Sequence, residues 1–129
     1  MEDLIINDGR RVPGVKFMAS TGELRLSGRS IPENALDMYS PLLEWLDRYI
    51  QQPAGQTSFE FRLVYFNSSS AEYILEILRR LETLYLQGNK VSLNWYFDTD
   101  DEDMQQIGED FKSMLKIPIE MVENEVEEE

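Results

Sequence analysis

Apolar and polar residues alternate with a period of two in four places along the chain, and between them apolar residues recur at helical spacing. Val15, Phe17 and Ala19 alternate with Lys16 and Met18, and Leu24 and Leu26 flank Arg25. The two runs surround Ser20-Thr21-Gly22, and alternating runs around a short glycine-containing loop predict a β-hairpin. Phe59, Phe61, Leu63 and Tyr65 alternate with Glu60, Arg62 and Val64; Val91, Leu93, Trp95 and Phe97 follow the same rule. Each run predicts a strand with one well-buried face, which puts Tyr65 and Trp95 on one side and Val64, Phe66 and Tyr96 on the other. Helices on both faces would bury the second group as well, whereas a one-sided sheet would leave it as an adhesive patch. Leu4–Ile6, followed by the turn Asn7-Asp8-Gly9, and Ile117–Val122 predict short strands at the two ends.

Three helices fill the gaps. Leu36, Tyr39, Leu42, Leu43, Leu46 and Ile50 recur at helical spacing after Ser30-Ile31-Pro32-Glu33, which reads as a capping signal at Ser30. Pro41 predicts either a kink or a second helix capped by Ser40. Ile74, Ile77, Leu78, Leu81, Leu84 and Tyr85 form the next apolar stripe, opened by Asn67-Ser68-Ser69-Ser70 and stopped at Gly88-Asn89. Met104, Ile107, Phe111 and Leu115 follow the acidic start Asp98–Asp103. The order β-β-β-α-β-α-β-α-β predicts a single α/β domain over residues 1–122, and 123–129 read as an acidic flexible tail. Its sheet is mixed, antiparallel at the early hairpin and largely parallel, with right-handed crossovers, where strands alternate with helices.

Composition narrows the chemistry. With 129 residues, 42% of them apolar, the chain is long enough for one domain and one core. It has no cysteine and no histidine, which removes disulfides, thiolate zinc sites, cysteine nucleophiles and the commonest general base. A formal net charge of −13 repels nucleic acid and anionic lipid and points to protein partners. The start MEDLIINDGRR carries acids where a signal peptide needs bases, and no run approaches the roughly 20 apolar residues of a membrane span. The expected location is the cytoplasm, without membrane insertion.

Three groups of residues invite a functional reading. Asn67, Ser68, Ser69 and Ser70 stand at a strand-to-helix junction on the carboxyl edge of the sheet, where α/β proteins bind ligands and where helix N–H groups favour an added phosphate; the same residues also suit simple capping. Asp98, Asp100 and Glu102, with Glu109 in the twelfth place counted from Asp98, echo a calcium loop, but Asp103 stands where that loop needs glycine. These acids suit capping, and their density alone motivates an alternative reading as a metal-dependent hydrolase. The aromatic residues Tyr39, Trp45, Tyr49, Tyr65 and Trp95 fall mostly at core spacing. No catalytic residue, metal or cofactor is assigned, and the chain reads as a non-enzymatic binding protein.

Several segments, in order, resemble the SiaC family of bacterial regulatory phosphoproteins: Met1-Glu2-Asp3-Leu4, Ser27-Gly28 through Pro32-Glu33-Asn34, Pro41-Leu42-Leu43-Glu44-Trp45-Leu46, and above all Leu63-Val64-Tyr65-Phe66-Asn67-Ser68-Ser69-Ser70. Gly88 and Val91-Ser92-Leu93-Asn94-Trp95 complete the resemblance over nearly the whole length. It implies a fold similar to STAS domains, the anti-sigma-factor antagonists, and a partner-switching logic. A protein kinase would phosphorylate a hydroxyl just after a central strand, and a metal-dependent Ser/Thr phosphatase would remove the phosphate. The unphosphorylated protein would bind and activate a diguanylate cyclase, linking it to cyclic-di-GMP, biofilm formation and aggregation. The modified position implied by the resemblance falls on Ser68, with Ser69 and Ser70 as alternates; a family member has threonine at that place, so a hydroxyl is kept. The alternative is a constitutive interaction subunit without a switch.

Overall fold

The computed structural model describes residues 1–124. Three strands come first: β1 (Leu4–Ile6), β2 (Gly14–Phe17) and β3 (Glu23–Ser30). Helix α1 (Ala35–Gln51), strand β4 (Thr57–Phe66), helix α2 (Ser68–Leu86), strand β5 (Val91–Asp98), helix α3 (Glu102–Met114) and strand β6 (Ile119–Asn124) follow. The order of elements is the one predicted. Strand β6 runs two residues past Val122, taking in Glu123 and Asn124 from the expected tail, and residues 125–129 lie outside the described residues.

The six strands lie in sequence order across one sheet. β1, β2 and β3 pair antiparallel, and β3 to β6 pair parallel. Each parallel strand is the immediate neighbour of the one before it. Right-handed crossovers in a single direction therefore stack all three helices on one face. Burial follows suit: Leu24, Leu26, Phe59, Phe61, Leu63, Leu93, Trp95 and Phe97 face the helices and are buried, while Arg25, Glu60, Arg62 and Tyr96 between them are not. Tyr39, Leu42, Trp45, Leu46 and Tyr49 of α1 and Ile74, Ile77, Leu78, Leu81 and Leu84 of α2 close the core.

Three local expectations change. Ser30 ends β3 instead of capping α1; Asn34 caps that helix, its side chain accepting from the Asp37 N–H at 3.1 Å. Pro41 lies inside one continuous helix, and the Ser40 hydroxyl donates to the Leu36 carbonyl at 2.6 Å rather than capping a second helix. The third concerns β4, where Gly28 pairs with Leu63 but Arg29 pairs with Tyr65, so Val64 is an extra, bulged residue. The bulge reverses the alternation beyond it. Tyr65, expected inside, is 45% exposed, and Phe66, expected outside, packs against the core with its ring edge-on to Trp95 at 6.3 Å.

Two glycines are dictated by close approach. Gly22 has φ +75°, and a Cβ there would lie 2.0 Å from the Gln56 carbonyl oxygen. Gly108 lets α3 lie against β5; a Cβ at that position would come within 2.6 Å of the Trp95 ring.

Candidate functional site

Strand β4 ends at Phe66, and the next residue, Asn67, turns the chain into α2. Its backbone is extended (φ −83°, ψ 170°) and its side chain caps the helix, as its residue type predicts. Asn67 Oδ1 accepts from the Ser70 N–H at 3.1 Å and from the Ser69 hydroxyl at 3.1 Å, and lies 2.7 Å from the Ser70 hydroxyl. Ser70 is fully buried. Its hydroxyl lies 3.0 Å from that of Ser30, which in turn lies 2.6 Å from the Tyr39 phenol. Burial raises the Tyr39 pKa, outweighing the hydrogen bonds from Ser30 and Ser70, so the phenol stays neutral. A second bond at the junction, from the Asn67 N–H to the Ser30 carbonyl at 3.1 Å, ties it to the end of β3.

The four expected residues thus separate into two kinds. Asn67, Ser69 and Ser70 form one network that fixes the start of α2. Ser68, the first helical residue, is exposed and stands outside that network. Ser69 is exposed but hydrogen-bonded, and Ser70, named as an alternate acceptor, is sealed in the core, where a modifying enzyme cannot reach it without local unfolding. Sequence reasoning missed Ser30 and Tyr39, which fasten the junction from β3 and α1.

Beside the junction lies an open hollow of about 430 Å³, lined by Val64, Tyr65 and Phe66 of β4 and by Asp101, Met104 and Ile107 around the start of α3. Val64 is 54% exposed there. The bulge turns Val64 and Tyr65 outward at this hollow, whose last β4 residue, Phe66, stands two residues before Ser68, and nothing in the alternating pattern announces it.

The acidic cluster does structural work. Asp101 caps α3, accepting from the Met104 N–H at 3.0 Å, and Glu102 and Asp103 occupy its first turn. Asp98 accepts from the Asn124 amide at 3.1 Å. Among the described residues, no three or more Asp, Glu, His or Cys side chains are grouped to hold a metal ion. The density of acids that motivated a hydrolase therefore does not become a ligand set.

On the open face, Glu60 accepts from Arg25 at 2.9 Å, from Arg62 at 3.2 Å and from the Tyr96 hydroxyl at 3.2 Å. The hydrogen bond from Arg62, supported by Arg25, holds the Glu60 carboxyl below the usual carboxylate range. The Arg62 guanidinium lies 3.7 Å from the centroid of the Tyr96 ring, so Tyr96 belongs to a charged, hydrogen-bonded cluster and not to an adhesive patch. Tyr39, Trp45, Tyr49 and Trp95 are core residues, as their spacing predicts.

The family model for SiaC family regulatory phosphoproteins matches residues 6–124. An uncharacterized protein of Pseudomonas aeruginosa is 29% identical over 118 residues, which cover 92% of this chain and 94% of that protein. The crystal structure of apo-SiaC from Pseudomonas aeruginosa superposes with a TM-score of 0.86 at 27% identity, over 95% of this chain and 99% of that one. A chain from the crystal structure of the diguanylate cyclase SiaD in complex with its activator SiaC, from the same organism, superposes with a TM-score of 0.89 at 27% identity, over 95% of this chain and 100% of that one.

Proposed function

The chain belongs to the SiaC family of regulatory phosphoproteins, and from that premise we propose that it is a non-enzymatic binding protein switched by phosphorylation of Ser68, which binds and controls a diguanylate cyclase while unphosphorylated. A protein kinase adds the phosphate and a metal-dependent Ser/Thr phosphatase removes it. The output is the level of cyclic-di-GMP and, through it, biofilm formation and aggregation. All of this takes place in the cytoplasm; among the described residues no helix is long and apolar enough to cross a membrane. The logic is that of anti-sigma-factor antagonists with STAS domains.

One observation carries the reading: of the three serines at the junction, Ser68 alone is both exposed and outside the hydrogen-bond network that holds the turn. A phosphate on Ser68 adds about −1.5 to −2 charge. It does so at a helix N-terminus, where it is tolerated, and beside the apolar hollow, where a partner would have to desolvate it. The same hydroxyl can therefore be free for a partner in one state and costly to bury in the other. The resemblance of the whole chain to a diguanylate cyclase activator supports the cyclase as that partner.

Intact-mass and tandem mass spectrometry of the protein incubated with its host's kinase and ATP tests the acceptor. A single phosphate mapped to Ser68 is the expected result. A phosphate only on Ser69 overturns the assignment to Ser68, and a protein that stays unmodified favours a constitutive interaction subunit.

A further inference from the structure

The carboxyl edge of the sheet carries opposite charge on its two sides, with Ser68 between them. On the β5 side stand Asp98, Asp100, Asp101, Glu102 and Asp103. On the β3 side stand Arg10, Arg11 and Arg29, with Asp8 against Gly28 and Glu33 beside Arg11, so that side keeps an excess of one positive charge in a chain whose net charge is −13, while Glu72 lies one turn beyond Ser68 on α2. Backbone pairing fixes how near these residues come to the junction. The Ile31 N–H donates to the Arg11 carbonyl at 2.9 Å, and the Asn67 N–H donates to the Ser30 carbonyl at 3.1 Å. Residues 11, 30–31 and 67 therefore lie side by side across the edge. Arg29 pairs with Tyr65, with its guanidinium 5.6 Å from the centroid of that ring.

Among the described residues, the partner of Arg11 is a weak one. Arg11 meets Glu33 at 3.2 Å, with the two side chains 60% and 85% exposed. Ion pairs this exposed contribute little and exchange readily. A phosphate dianion offers a guanidinium more charge and a bidentate acceptor.

We propose that Arg11, supported by the charge of Arg10 and Arg29, is an intramolecular binding residue for a phosphoryl group on Ser68, and that it leaves Glu33 to take it. The proposal rests on the phosphoswitch reading and adds a direction to it. The acidic β5 side repels the phosphate and the arginine side attracts it, so the modified state draws the β1–β2 loop, residues 7–13, toward the start of α2. Phosphorylation then reshapes the edge on the β3 side as well as placing charge beside the hollow.

The test uses full-length protein with phosphoserine incorporated at position 68 during translation. The second ionisation of the phosphate is followed by phosphorus NMR in the parent, Arg11→Ala, Arg11→Lys and Glu33→Gln proteins. Free phosphoserine titrates near pH 6. The helix N-terminus favours the dianion in every variant, so the readout is the difference between them. The expected result is a midpoint about one pH unit lower in the parent than in Arg11→Ala, with Arg11→Lys between the two and Glu33→Gln at or below the parent. Equal midpoints in the parent and Arg11→Ala overturn the proposal. Cyclase affinity, measured on the same samples, separates the two ideas. If phosphoserine abolishes cyclase binding while the midpoints coincide, the clamp is wrong and the switch stands; if the midpoints differ while cyclase binding is indifferent to phosphoserine, the clamp stands and the switch reading fails.

Discussion

Ser68 and Ser70 carry the same hydroxyl two residues apart and serve opposite ends. Ser70 is enclosed with Ser30, Tyr39 and Asn67, while Ser68 faces solvent. Removing the Ser70 hydroxyl strips a buried partner from Ser30 and Asn67, and an unsatisfied buried polar group costs about 1–3 kcal/mol. Ser70→Ala is therefore expected to lower the thermal midpoint by several degrees, whereas Ser69→Ala, on the surface, stays within about 0.5 kcal/mol of the parent. Thermal unfolding followed by circular dichroism checks both. The composition of the junction made it legible as a capped helix start and a candidate switch. Which serine is buried was not legible, because that depends on Ser30, 40 residues away in sequence and brought alongside only by parallel pairing of β3 with β4.

Elements were read correctly where a single periodicity ran unbroken and misread where one residue interrupted it. The stripe of α2 and the alternation in β5 match what is buried; in α1 the stripe is right at Tyr39, Leu42 and Leu46, but the buried face also takes in Trp45 and Tyr49, while Leu43 and Ile50 are only partly buried and Leu36 is exposed. In β4 the same rule holds as far as Leu63 and then fails, since one bulged residue exchanges the faces of Tyr65 and Phe66. No local signal marks Val64 as the extra residue. It follows from the register with β3, where Gly28 has φ +85° just before the shift. Gly108 is similar: within the sequence it is a weak point in a helix, and only packing reveals that α3 needs it to approach Trp95. Gly108→Ala should improve helix propensity yet destabilise the protein by about 1–3 kcal/mol through overpacking. Urea unfolding should show a lower midpoint with an unchanged slope; equal or greater stability would mean that α3 can shift away from β5 at little cost.

At the scale of the whole molecule, sequential strand order with uniform crossovers makes the sheet one-sided and gathers its functional loops along one edge. The loops after β3, β4 and β5 and the loop before β2 all meet there, which brings Arg11, Ser68 and Asp101 onto one surface although they are scattered through the chain. The pattern of strands and helices foretold the fold class, but strand order is a matter of long-range pairing, so neither the hollow beside Ser68 nor the division of charge along the edge could be read from the chain alone. On the proposed reading, the edge is a surface whose fit to a partner is set by one added phosphate. Calorimetric titration of the host's diguanylate cyclase, with the unmodified protein and with the protein carrying phosphoserine at position 68, tests that claim most directly. Saturable binding by the unmodified protein, weakened by about tenfold or more (about 1.4 kcal/mol) in the phosphoserine form, is the predicted result. Equal affinity in the two forms would contradict it.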